Sequence, residues 1–143
     1  MDDLRVGRAL LNGLFVWLLS LAVYSVPAFA YAFARSMQLG PGAPDYGALG
    51  AQIAGEVSTI FAENWLLVVA LVAITAVLTL WRARAVARGT WHLRWLNGLI
   101  VGIVPAVLSL LFTVCGGFDM LGAISIGVYV LMGLLGGLVA RPA

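Results

Sequence analysis

The chain has 143 residues, of which 63% are hydrophobic and only 10% are charged, and its mean hydropathy is +1.06. Soluble domains carry roughly 25% charged residues, so this composition excludes an ordinary soluble domain and predicts an all-α integral membrane protein. The net charge of +2 gives little support for a nucleic-acid partner, and the lone Cys115 excludes an internal disulfide.

The first predicted span runs from about residue 9 to residue 34, because roughly 20 apolar residues suffice to cross a bilayer core. Pro27 predicts a kink, since its ring removes the helical hydrogen bond to Val23. The segment from Ala28 to Ala30 resembles a signal-peptide cleavage site. The apolar stretch is longer than the roughly 7–15 residues of a signal-peptide core, so we expect an uncleaved span.

Residues 36–63 form the long connection after this span, and its Pro- and Gly-rich beginning predicts a turn. From Tyr46 to Glu63 apolar residues recur every three or four positions, which predicts an amphipathic helix with a further face of small residues. Its candidate polar face consists of Gln52, Glu56 and Glu63. We expect this face to be solvated, with cation binding or pairing with Arg35 as the alternatives. The small-residue face reflects either composition alone or the close approach of another helix.

The second predicted span covers residues 65–81 and is bracketed by Trp65 and Trp81, whose indoles prefer the headgroup level. A basic loop over residues 82–94 follows it. Each basic residue near an anionic membrane surface contributes about 1 kcal/mol of binding free energy. A soluble acidic partner could bind the same basic loop. Nothing in the loop is suited to reading nucleic-acid bases. The candidate contacts with lipid headgroups or a partner are Arg82, Arg84, Arg88, Trp91 and Arg94.

The third and fourth predicted spans cover residues 95–114 and 120–140. The short turn from Cys115 to Phe118 predicts an antiparallel hairpin. Small residues spaced four apart allow helices to approach closely in lipid, and we favour packing within the chain over an oligomer interface. The candidate helix-packing residues are Gly98, Gly102, Ala106, Ala123, Gly127, Gly133 and Gly137.

The distribution of charge predicts the topology. Arginines flank one side of the predicted spans: Arg5, Arg8, Arg82, Arg84, Arg88, Arg94 and Arg141. Four of the six acids occupy the other side: Asp45, Glu56, Glu63 and Asp119. Basic residues near span ends stay in the cytoplasm, so both termini are expected to be cytoplasmic and the 46–63 helix to lie outside. We expect the membrane to be the bacterial cytoplasmic (inner) membrane.

The six residues from Leu11 to Val16 recur, with one change, from Leu96 to Val101. The match suggests a tandem repeat of two helical hairpins in which Asn12 and Asn97 are equivalent, while a chance match between common residues is the alternative. Four spans in about 140 residues are similar to small flippase-like proteins of the GtrA type. The sequence Leu80-Trp81-Arg82 replaces the aromatic-Asn-Arg ending of that family's second span, so no residue role is transferred.

The predicted spans contain no Asp, Glu, His or Arg, which argues against a proton-coupled pump. The sequence has no catalytic triad, metal-ligand cluster or phosphate loop, so we expect no enzyme activity and no catalytic, metal or cofactor-binding residues.

The leading hypothesis is a single membrane domain over residues 1–143 that serves as a structural or accessory subunit of a larger bacterial membrane complex. A small homo-oligomeric transporter, flippase or channel for a neutral or lipid-like solute is the alternative, and a holin-like permeabilising protein comes third. The expected partners are membrane lipids and either another protein or further copies of the chain.

Overall fold

The computed structural model describes residues 4–39, 45–88, 90, 92–116 and 120–140. These residues form no strand and five α-helices: α1 (Val6–Leu39), α2 (Tyr46–Glu63), α3 (Trp65–Ala87), α4 (Arg94–Gly116) and α5 (Met120–Val139). By length and composition, α1, α3, α4 and α5 could each cross a membrane. The prediction of an all-helical chain with four long apolar helices is therefore confirmed, and α2 lies where the helix between the first two spans was expected.

Two helices extend beyond their predicted spans. The 34-residue helix α1 continues through Pro27 to Leu39, and α3 continues to Ala87. Arg82 and Arg84 therefore lie on a helix and not in a loop, because arginine favours helix and hydropathy reports only the apolar part of a helix. The end of α3 is capped by Thr90, whose Oγ1 donates to the Ala87 carbonyl over 2.8 Å.

Contacts group the chain into two compact units. The first combines Met1–Ser20 with Val72–Ala143, and the second is Leu21–Leu71. Helices α1 and α3 each contribute to both units. The expectation of one membrane domain remains a prediction.

The first unit has a core of small, β-branched and aromatic side chains contributed by α1, α3, α4 and α5. The rings of Trp17 and Phe112 add a tilted contact between α1 and α4, with centroids 5.7 Å apart. A Cβ placed on Gly13 would lie 2.6 Å from the Val104 Cβ, so these two helices approach closely, as packing in lipid requires. The buried core residues are Ala9, Val16, Ala83, Val86, Val101, Ala106 and Tyr129.

In the second unit, both ends of α2 are fixed by local hydrogen bonds. At its start the Asp45 carboxylate accepts from the Gly47 N–H over 2.7 Å, a common N-terminal cap. At its end the Asn64 N–H donates to the Ile60 carbonyl over 3.0 Å, and the Asn64 carbonyl accepts from the Val68 N–H over 3.2 Å. Asn64 is the one residue between α2 and α3, so the two helices meet without a loop.

Candidate functional site

The glycines of α4 and α5 form a close backbone contact in the first unit. A Cβ placed on Gly98 would lie 2.6 Å from both the Gly133 carbonyl oxygen and the Gly137 Cα. A Cβ on Gly133 would lie 2.7 Å from the Gly102 Cα. Any larger residue at these positions would meet backbone atoms, which cannot rotate away. The structure therefore brings together four of the seven candidate packing residues.

The other three candidates lie elsewhere. Ala106 belongs to the buried core, and Ala123 is partly buried. A Cβ on Gly127 would have no atom within 4 Å. A residue outside the candidate set, Gly136, packs against α3 instead, where its Cβ would lie 2.6 Å from the Ala83 Cβ. Gly136 faces α3 and the adjacent Gly137 faces α4. Two consecutive glycines are thus the sequence feature that could have indicated contacts of α5 with two helices.

The two asparagines of the repeated segment make different hydrogen bonds. Asn97 is fully buried, and its Oδ1 accepts from the Arg5 N–H over 2.9 Å at the start of α1. Asn12 is partly exposed and donates to the Arg8 carbonyl of its own helix over 2.8 Å. Their bonding is not equivalent, and the tandem repeat remains a prediction.

A polar cluster in the second unit joins α2 to α1, and it consists of Tyr31, Arg35, Gln52 and Glu56. The Arg35 Nε donates to the Glu56 Oε2 over 2.9 Å, and the Tyr31 hydroxyl donates to the same oxygen over 2.8 Å. The Gln52 amide donates to the Glu56 Oε1 over 2.9 Å. One carboxylate thus receives hydrogen bonds from three side chains on two helices.

These hydrogen bonds stabilise the ionised carboxylate. They lower the pKa of Glu56 from its usual 4.5 to about 2, with the bond from Arg35 as the largest cause, followed by those from Gln52 and Tyr31. The pair is only half-buried, with 33% of the Arg35 side chain and 26% of the Glu56 side chain exposed. Solvent screening therefore limits its contribution to stability.

The polar cluster includes two of the three residues predicted for the polar face of α2. Glu63 is exposed and lies outside the cluster. Pairing of Glu56 with Arg35, which the sequence left as an alternative to a solvated face, is the observed arrangement. Sequence reasoning missed Tyr31, although its position one turn before Arg35 on α1 places both side chains on one face.

An open apolar groove of about 710 Å³ lies between the second half of α1 and α2, within the second unit. Small residues four apart form a row on each helix, namely Ala28, Ala32 and Ser36 on α1 and Gly50 and Ala54 on α2. A Cβ on Gly50 would have no atom within 4 Å, so this face of α2 is open. The remaining lining residues are Ser25, Phe29, Phe33, Ile53 and Val57.

Arg82 has the most distinctive surroundings of the candidate basic residues. Its Cζ lies 4.2 Å from the centroid of the Phe15 ring and 4.6 Å from that of Trp81. Its Nε is buried and has no hydrogen-bond partner among the described residues, and the same holds for the Arg84 Nε. No local sequence signal connects Phe15 on α1 with Arg82 on α3.

The other basic candidates have separate environments. The Arg94 Nη1 donates to the Ala140 carbonyl over 3.3 Å, which caps the end of α5 as cations commonly do. Arg88 is exposed. Trp91 lies outside the described residues. Among the described residues, the structure therefore does not bring the predicted basic candidates together in one site.

Within the described ranges, no group of three or more His, Cys, Asp or Glu could hold a metal ion. The features that could bind a ligand or a partner are the apolar groove, the hydrogen-bonded Glu56 carboxylate and Arg82 beside its two aromatic rings. Comparisons with known protein families, with curated proteins and with solved structures found no match.

Proposed function

We propose that the chain is a non-catalytic accessory subunit that binds an apolar helix of a partner protein in a bacterial membrane complex. The observation that carries this proposal is the open groove between α1 and α2, with its two rows of small residues. Small residues four apart allow a third helix to bring its backbone close and to gain van der Waals contact. Rows of small residues are typical of surfaces that contact another helix.

The shape of the groove also supports a helical partner. The polar cluster holds α2 against α1 through Glu56 and Arg35, so the groove exists before a partner arrives, which lowers the entropic cost of binding. Phe29 and Phe33 are 73% and 65% exposed. A docked helix would cover both phenyl rings and extend the packed surface.

The proposed topology places both termini in the cytoplasm and α2 on the outer face of the inner membrane. The charge distribution supports it, because seven of the eight arginines flank the proposed inner ends of the spans. Arg35 is the exception. Its charge is matched by Glu56, with the Nε and Oε2 atoms 2.9 Å apart, so the outer segment carries no unpaired base.

Copurification of the full chain from its own membrane in mild detergent, followed by native mass spectrometry, tests the proposal. We expect a stoichiometric protein partner with the wild-type chain. Gly50→Leu fills the groove and should abolish partner retention. Gly55→Leu is the matched control, because Gly55 lies on α2 outside the groove and a Cβ there also has no atom within 4 Å.

Three outcomes would contradict the proposal. Equal partner retention by Gly50→Leu and Gly55→Leu would exclude the groove as the docking site. A chain that purifies only as a homo-oligomer and moves lipid or neutral solute across liposomes would favour the transporter alternative. Depolarisation of the membrane on expression would favour the holin-like reading.

A further inference from the structure

Arg82 contacts two aromatic rings and forms no ion pair with any of the described residues. Two aromatic rings lie within 5 Å of its Cζ, one on α1 and one on α3 itself. A cation–π contact does not use up the N–H groups of a guanidinium, which remain able to donate hydrogen bonds. Its Nε is buried without a hydrogen-bond partner within the described part of the chain.

The contacts of Arg82 differ from those of the other arginines. Arg35 is paired with a carboxylate, and Arg94 donates to a backbone carbonyl. Arg84 lies two positions from Arg82, about 200° around the helix, and its backbone lies beside Gly136 of α5. Arg82 faces Phe15 of α1 instead, so Arg82 and Arg84 do not converge on one ligand.

The surroundings of Arg82 are suited to a lipid. It lies five residues before the end of α3 at Ala87, roughly 8 Å along the helix axis, a distance comparable with the thickness of a headgroup layer. The two rings next to the guanidinium are themselves exposed to the outside: Trp81 is 57% exposed and Phe15 is 44% exposed. A cation beside exposed apolar side chains complements a molecule with an anionic head and an acyl tail.

Arg8 is a further base on α1. It precedes Phe15 by seven residues, which places both on one face of α1, and its side chain is exposed. A phosphate bound by Arg82 would therefore have a second base about two turns away along α1.

We propose that Arg82, whose Cζ lies over the rings of Phe15 and Trp81, is the binding site for the phosphate group of one anionic phospholipid. The planar guanidinium donates two parallel hydrogen bonds to the phosphate oxygens. The acyl chains cover the exposed side chains of α1 and α3 beside it. This site is distinct from the groove of the second unit and does not rest on the proposed protein partner.

Native mass spectrometry of the delipidated full chain in detergent, titrated with dioleoyl phosphatidylglycerol or dioleoyl phosphatidylcholine, tests the site. We expect one phosphatidylglycerol per chain to be retained in preference to phosphatidylcholine. Arg82→Gln should weaken retention by about tenfold, since it removes charge-assisted hydrogen bonds. Arg88 was also a predicted headgroup contact, but it is exposed, lies just after the end of α3 and is not part of the Arg82 site. Arg88→Gln should therefore change retention by less than about twofold.

A second variant keeps the proposal testable if Arg82→Gln disturbs the fold. Phe15→Leu retains the charge but removes one ring, and it should weaken retention by about two- to fivefold. Equal losses in Arg82→Gln and Arg88→Gln would show a diffuse basic surface and overturn the site. Displacement of the lipid by millimolar inorganic phosphate would overturn the lipid assignment in favour of a free anion.

Discussion

At the scale of single residues, Asn97 is the clearest example of a polar side chain that ties two helices together. Its Oδ1 accepts the Arg5 N–H, one of the amides that a helix start leaves without an intrahelical partner. The residue is fully buried, so water cannot replace this bond. Asn97 therefore fixes the start of α1 beside the first turn of α4.

Replacing Asn97 by alanine should destabilise the protein by about 1–3 kcal/mol, because a buried amide loses its partner. Asn12→Ala is the matched control, since Asn12 is partly exposed and, among the described residues, bonds to its own helix. It should cost less than about 0.5 kcal/mol. Thermal unfolding in detergent measures both. Equal losses would contradict the distinction between the two asparagines.

The Glu56 carboxylate predicts a stability change in acid. Its pKa in the folded chain is lowered from 4.5 to about 2. Well above pH 4.5 it is therefore ionised in both the folded and the unfolded state, and its stabilisation is complete. As the pH falls from 4.5 towards 2, the unfolded state binds a proton and the folded state does not, and this stabilisation is lost.

We expect the melting temperature to fall across this window and Glu56→Gln to remove most of the fall. Glu63→Gln changes an exposed position on the same helix, and this variant should show the same fall in melting temperature as the wild type. A pH profile that Glu56→Gln leaves unchanged would contradict the role of the polar cluster in joining α1 and α2.

At the scale of elements, close approach of backbones distinguishes the α4–α5 pair. The Cβ distances at Gly98 and Gly133 leave no room for a methyl group. Gly98→Ala and Gly133→Ala should therefore force the helices apart and cost about 1–3 kcal/mol. Gly127→Ala adds the same methyl group to α5 in open space and should be neutral or stabilising by up to about 1 kcal/mol. Thermal unfolding of the three variants separates packing from helix propensity, and a similar loss in all three would refute the close contact.

The elements were largely predictable from the sequence, whereas the partners of their side chains were not. Hydropathy identified the four long helices, because apolar length is a property of one segment. It placed the end of α3 too early, since Arg82 and Arg84 continue the helix. The contact of Arg82 with Phe15 depends on how two helices rotate about their axes, which periodicity alone leaves open. Pairing of Glu56 with Arg35 remained one of several options, because half-exposed ion pairs differ little in free energy from solvated charges.

At the scale of the whole molecule, the proposed topology makes a direct prediction. In a Cys115→Ser background, Thr59→Cys on α2 should react with a membrane-impermeant maleimide in intact cells. Arg88→Cys, just after α3, should react only after lysis. Both positions are exposed in the structure, so access to the reagent decides the result. The reverse labelling pattern would show that the chain has the opposite topology.

The junction at Asn64 has a mechanical consequence for the proposed subunit. Asn64 is the one non-helical residue between α2 and α3, and it makes backbone hydrogen bonds to both helices. The two helices are therefore joined without an intervening loop. A load applied to α2 by a docked protein would pass directly into the first turn of α3. A partner bound in the proposed groove would therefore be coupled to α3 through a single residue.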